Sequence, residues 1–385
     1  MRNFIADTRM SVAPLAHVRA FAVVTAIAAT LALSIGSAPA KDNDNRQRDI
    51  NRAGNILIAD QYNNRVIETD PQGNIIWQFG LGPNDFSPAS IIGCNDAQRV
   101  GRLTLMAGTG IPPGTVPNCS DPNGCPDNRV ILVNPAGHIV WQYGQFGVTG
   151  SDPDELNTPV QSTWLPGRHV LITDQGNQRV IEVDRKKNIV WQYGETGISG
   201  SGPNQLNDPN SAELLENGHI LIADESNDRA IEVDRSGSIV ATVTAGGTVS
   251  GVAFASRLPN GNTLLTDSNN SRIVEVDSND AVVWEYLTNT DPNSNPSPLP
   301  TRAIRLKNGN TIISDQWNHR VIIVDHADPA NIVASYGKLN VSGYGTMSTT
   351  QGLFGPYDAK VIGDYTGITP PFDDDHGMDE GGGGH

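Results

Sequence analysis

Four shortages in this sequence each remove a class of function. The apolar run at residues 21–35 falls short of the ~18 residues that a membrane helix needs, and no later run reaches that length. After residue 40 no stretch of ten or more residues carries a 3.6-residue apolar period, so strands and turns are left as the building material. Cationic residues are few: 26 Lys and Arg stand against 42 Asp and Glu, for a formal net charge of −16. A surface of that sign repels phosphate backbones and anionic lipid, so neither nucleic acid nor a membrane is an expected partner. With only 8 histidines and 3 cysteines, multi-histidine metal centres and disulfide frameworks have little to draw on.

What is present begins with Arg2, Arg9 and Arg19 ahead of the apolar run at 21–35, closing on Ala38-Pro39-Ala40. This is the pattern of a secretory signal peptide, residues 1–40, cleaved near Ala40. The mature chain is therefore expected to be secreted or periplasmic, with a net charge of about −18. Residues 41–53 read as a linker, and residues 366–385, acidic and rich in glycine, as a disordered tail. In an oxidising compartment Cys119 and Cys125, which enclose the turn sequence "SDPNG", are expected to bridge. Cys94 is expected at the far end of its inner strand, on the other face, and unpaired.

Between linker and tail the chain repeats itself. "DQYNNRVIETD", "DQGNQRVIEVD", "DESNDRAIEVD", "DSNNSRIVEVD" and "DQWNHRVIIVD" share Asp-x-x-Asn-x-Arg followed by alternating apolar residues, and "DNRVILVN" is a damaged sixth copy. Their arginines, Arg65, Arg129, Arg179, Arg229, Arg272 and Arg320, recur about every 50 residues, a period of propellers or solenoids. Each unit offers four short β-branched or aromatic segments bounded by Gly, Asn or Asp. The first unit lacks its inner strand, and the orphan "GPYDAKVI" after the sixth unit supplies one. The expected fold is all-β: a six-bladed β-propeller over 54–365 of four-stranded antiparallel blades, closed by a C-terminal strand that completes blade 1.

The inter-blade segments "GSGPNQLNDPNSA", "GSDPDELNTPVQS" and "FGLGPNDFSPAS" resemble those of the NHL-repeat family, a likeness that implies fold more than activity. "NGNTLLTDSNNSRIVEVDSNDAVVWEY" is similar to repeats of arylsulfate sulfotransferases, also six-bladed. That second resemblance implies a histidine nucleophile before the inner strand. The matching segment "DPNSAELLENGH" has Asp208 there, while Asn210 and Ser211 survive.

Residues that recur from unit to unit are scaffold on this reading: the motif Asp and Arg, the third-strand Glu68, Glu182, Glu232 and Glu275, and the fourth-strand Trp77, Trp141, Trp191 and Trp284, which seal blade against blade. His169 and His219 fall at turns on the face away from the long loops. Function is expected on the loop-rich face, where residues 144–158, 194–208, 287–300, 337–355 and the insertion 108–128 gather. One ring position of the inner strands carries Gln161, Ser211, Phe254, Arg302 and Asp358; Gln161, Ser211, Arg302 and Asp358, with Asn210, Trp317 and His319, are the ligand-binding candidates, although Arg302 and Asp358 could equally be a buried ion pair at the closing seam. Trp317 and His319 point to the same face, and His319 is the one weak candidate for a catalytic group. Asp152, Asp154 and Glu155 supply oxygen chemistry for calcium without a recognised spacing, so no cofactor is expected beyond that weak option. A binding or scaffolding module for a protein or small polar ligand is the expected function. A propeller enzyme of sulfotransferase, lyase or calcium-dependent hydrolase type is the alternative.

Overall fold

The computed structural model describes residues 50–345, 349 and 352–364. The expected signal peptide, most of the linker and the expected tail lie outside the described residues. Six four-stranded antiparallel sheets form the six blades of a β-propeller, and no α-helix occurs among the described residues. Each inner strand pairs with the next strand in sequence, except in blade 1, where Pro356–Val361 pairs with Ile56–Asp60 and closes the ring.

Burial falls from the axis outward, and the strand sequences follow it. The second strand of blade 4, Ile220–Asp224, is buried on both faces between neighbouring blades and is apolar at four of its five positions. The outer strand Ile239–Val243 is exposed or half-buried throughout. After the outer strand comes a glycine that the geometry demands. Gly80, Gly144, Gly194 and Gly337 all have positive φ, and a Cβ there would fall 2.2–2.3 Å from a carbonyl oxygen of the blade's own hairpin loop.

The recurrent residues hold the blades together. In the five well-preserved copies the motif aspartate accepts from the Asn three residues on and from the Arg five residues on, as in Asp174 with Asn177 and Arg179, both at 2.8 Å. In four of these blades the other oxygen accepts the backbone N–H of the segment leading into the inner strand, Asn157 in this blade at 2.8 Å. One carboxylate thus ties two loops on the same face. The fourth-strand tryptophans reach the next blade: Trp77, Trp141, Trp191 and Trp284 donate to the carbonyls of Pro135, Arg185, Arg235 and His326 at 3.0–3.3 Å. Guanidinium groups of the neighbouring blade cover the same rings, Arg99 over Trp77 and Arg305 over Trp284 among them. His169 and His219 bond Glu182 and Glu232 across the turn at 2.6 and 2.7 Å, a tie that Asn55 and Asn262 make to Glu68 and Glu275.

Cys119 and Cys125 are bridged, and Cys94 is buried and unpaired. The expected placement of Cys94 is corrected. It opens the inner strand Cys94–Val100 and pairs with Gly108, so it lies toward the loop-rich face, on the side of the disulfide. The lead-in runs on through Ile91 and Ile92, so the inner strand starts at Cys94 rather than ending near it.

Candidate functional site

The geometry of the loop-rich face follows from a six-fold pattern of left-handed residues. Before each inner strand stands one residue with positive φ: Gly93, Thr158, Asp208, Gly251, Leu299 and Gly355, at φ 46–64°. Two residues later a β-bulge interrupts the pairing, seen at Cys94/Asp96, Pro159/Gln161, Pro209/Ser211 and Val252/Phe254. A bulge places two neighbouring residues opposite one partner and re-aims the extra one. The extra residues are Asn95, Val160, Asn210, Ala253, Thr301 and Tyr357, and each is followed by a ring residue.

The ring holds Asp96, Gln161, Ser211, Phe254, Arg302 and Asp358, none more than 7% exposed. Asp96 is the member that sequence reasoning missed, because the strand of blade 2 was expected too early. The signal was available: Gly93-Cys94-Asn95-Asp96 repeats the order of Gly355-Pro356-Tyr357-Asp358. Most ring side chains bond the next blade's inner strand. Gln161 Oε1 accepts the Ala212 N–H at 2.6 Å, Ser211 Oγ that of Ala255 at 3.2 Å, and Asp358 Oδ2 that of Ala97 at 3.2 Å. Arg302 does meet Asp358, with Nε 2.9 Å from Oδ1 but outside hydrogen-bond alignment, and its Nη2 lies 3.2 Å from Asp96. Lys360 completes a buried four-charge cluster, 2.9 Å from Asp96 and in contact with Asp358. Burial raises the Asp358 carboxyl, against the pull of Lys360 and Arg302.

One layer further along the same strands lies Glu213, whose carboxylate accepts the Arg257 N–H at 3.0 Å. Burial pushes it up to about 8, with that amide and the Ser256 hydroxyl pulling the other way. The folded protein therefore keeps its proton while the unfolded chain loses it from about pH 4.5 upward. Stability should decline from there to about pH 8 and then level off. Glu213→Gln is expected to abolish that decline, a gain on the order of 4 kcal/mol at pH 8. Urea unfolding of both proteins between pH 5 and pH 8.5 checks it, and a gap that does not widen with pH contradicts it.

His319 belongs to a repeated column rather than to a singular site. Asn64, Asn128, Gln178, Asp228 and Ser271 stand in the same left-handed place before the motif Arg. Four of them accept the amide of the next blade's lead-in residue through a side-chain oxygen, as Gln178 does from Asp208 at 2.7 Å. His319 does the same with Nδ1, from Gly355 at 3.3 Å. Burial lowers its pKa to about 4, so the ring is neutral at physiological pH. Trp317 stacks on Tyr62 with ring centroids 5.4 Å apart.

Asp208 occupies a lead-in place, and both of its oxygens are taken: Oδ1 by Gln178 at 3.0 Å and Oδ2 by Ser226 at 3.0 Å. Asp152, Asp154 and Glu155 do not converge on one point. Asp154 accepts the Gly144 N–H at 2.9 Å and pairs with Lys187 at 2.7 Å, while Asp152 is exposed. Asn204 makes the matching bond to Gly194 at 3.0 Å in the next loop. Among the described residues no group of three or more His, Cys, Asp or Glu is placed to hold a metal ion.

A pocket of about 550 Å³ opens on the loop-rich face over blades 1 to 3. Gln61, Asn95, Gln316 and Tyr357 line it on the axial side, and the disulfide-bridged insertion walls it through Ile111 and Cys125. None of the ligand-binding candidates read from the sequence is among its lining residues. Gln61 donates to Asn95 at 2.6 Å and accepts from Gln316 at 2.9 Å, a chain of amides across blades 6, 1 and 2. Tyr357 meets Asn210 from the opposite blade at 2.9 Å, and Asn210 also donates to Glu225 at 2.7 Å. Burial holds the Tyr62 hydroxyl up at about 12 and raises that of Tyr357 as well, so both remain protonated.

No protein-family model and no curated protein matches the chain. Among solved structures it is similar to a protein of unknown function from Bacteroides caccae, at 14% identity and a TM-score of 0.52, over 77% of this chain and 97% of that one. It is also similar to a virginiamycin B lyase from Staphylococcus aureus, at 12% identity and a TM-score of 0.45, over 76% of this chain and 89% of that one. A streptogramin B lyase stands at 13% identity and a TM-score of 0.44, over 65% of this chain and 70% of that one. At such identities the likeness is one of fold, and none of the three assigns an activity.

Proposed function

We propose that this chain is an exported propeller of the NHL type whose loop-rich face binds a protein or small polar ligand, without performing chemistry on it. The observation that carries the reading is the pocket beside the channel mouth. It is lined by Gln61, Asn95, Gln316 and Tyr357, from two columns that vary from blade to blade more than the scaffold does. Scaffold columns hold the same chemistry in nearly every blade, whereas the bulge column holds Asn95, Val160, Asn210, Ala253, Thr301 and Tyr357, and the column that follows the second strand holds Gln in three blades and Thr109, Glu225 and Ser268 in the others. The sulfotransferase-like alternative needs an attacking imidazole at the place of Asp208. There both carboxylate oxygens are already committed to protein partners.

The test uses residues 41–385 and the indole N–H resonances of the tryptophans. Trp317 stacks on Tyr62, which lines the pocket, while Trp77, Trp141, Trp191 and Trp284 report on blade seams elsewhere. Titration with a set of polar fragments, neutral and charged, is expected to move Trp317 saturably and leave those four in place. Shifts confined to the four, or turnover of a chromogenic aryl sulfate with phenol above a heat-killed control, would sink the reading.

A further inference from the structure

We infer that the pocket is a subsite for a neutral, hydroxyl-rich ligand, a short oligosaccharide or the end of a longer one. The inference rests on the binding-face reading above and narrows it to a chemical class. Charge comes first. Among the described residues that line the pocket there is no Lys, Arg or His, and Asp121 is the one carboxylate. An anionic ligand would find no cation to replace its hydration, on a chain already at −16. A cationic ligand or metal would find a single exposed carboxylate at the rim.

Polarity comes second. The lining is rich in carboxamides, each presenting a donor pair and an acceptor from one planar group. Vicinal hydroxyls, which donate and accept at adjacent carbons, match that pattern. An apolar ligand would strip water from these groups and leave them unpaired, at a cost that rejects it. The amides are also fixed in place beforehand. Gln61 is held between Asn95 and Gln316 at 2.6 and 2.9 Å, so little ordering remains for binding to supply.

Shape comes third. Tyr357 adds ring surface and a protonated hydroxyl, and Tyr62, packed against Trp317 and Phe354, backs the wall, the combination that suits a ligand with one apolar and one hydroxylated face. The bridged insertion closes one side, and the Tyr357–Asn210 contact across the axis lies at the other. The site is a basin rather than a through-groove. Its volume of about 550 Å³ gives room for roughly two or three sugar rings.

The experiment titrates residues 41–385 with cellotriose, maltotriose and xylotriose, with a galacturonic acid trimer as the charged counterpart, and with a blocked neutral Gly-Ser hexapeptide. The Trp317 indole is the readout. At least one neutral trisaccharide is expected to shift it saturably, and the acidic trimer to bind at least about tenfold more weakly. Gln316→Leu should weaken the neutral trisaccharide about tenfold or more. Asn157→Ala, a half-buried rim variant, repeats the test where the first variant fails to fold. If the acidic trimer, the peptide or charged fragments move Trp317 while no neutral trisaccharide does, the ligand class is wrong and the binding face stands. If nothing moves Trp317, both readings fall. Undiminished binding in a variant that melts like the parent overturns the pocket assignment.

Discussion

Ending the chain after Met347 is expected to leave a protein that does not melt cooperatively. The cut removes the inner strand Pro356–Val361 and with it all pairing to Ile56–Asp60, whose five residues are buried. Ile56 and Ile58 lose Leu353, Ala359 and Val361 from their apolar cluster. The motif aspartate Asp60 loses the Phe354 N–H at 2.8 Å, and Thr301 loses the Tyr357 carbonyl at 2.6 Å. Arg302 is left facing Asp96 without Asp358, inside the protein. A ring opened in this way exposes two sheet edges, which pair with other chains or collapse. The expected product is insoluble, or binds a hydrophobic dye and has lost its near-ultraviolet dichroism. A cut after Thr369 removes none of the described contacts and should melt with the full chain. If the shorter protein unfolds cooperatively at the temperature of the longer one, the inner strand of blade 1 is not a closing element.

The fold was open to reading because it is written several times over. Each well-preserved copy places Asp, Asn and Arg at the same offsets, and three dimensions then use them identically, as Asp174 and Asp315 do with Arg179 and Arg320. Closure was legible for the same reason, since a repeat short of one strand and a strand left over define each other. The pocket was not legible, because its members are neighbours only after folding. Gln61 and Gln316 are 255 residues apart and Tyr357 and Asn210 are 147 apart. A ring read in one-residue columns also misses what a bulge does. Asn95 and Tyr357, one place before the ring, are the residues turned to the pocket, while Asp96 and Asp358 turn to the scaffold. His319 misleads in the opposite sense. Its residue type is singular, but its column asks only for an acceptor, and an amide, a carboxylate or an imidazole serves.

The same bulges make the buried charge cluster the second large expectation. Arg302, Lys360, Asp96 and Asp358 are each 5% exposed or less, and they join blades 6, 1 and 2 directly beneath Asn95 and Tyr357 in sequence. Two positive and two negative groups balance there, and removing one leaves a charge in a medium that cannot solvate it. Arg302→Met should cost about 3–5 kcal/mol, since Asp96 and Asp358 would then share Lys360 alone. Lys360→Met should cost a similar amount. The two aspartates also accept the Ser162 and Ala97 amides at 3.2 Å, so their substitutes must remain acceptors. Replacing all four at once, Arg302→Met, Lys360→Met, Asp96→Asn and Asp358→Asn, takes the charge away without stranding a partner. That variant is expected to recover most of what either single change loses, because the desolvation cost of four ions goes with their attraction. Urea unfolding of the two single variants and the fourfold variant decides it. Single losses below about 1 kcal/mol, or a fourfold loss equal to the sum of the singles, would mean that the cluster is not electrostatically coupled.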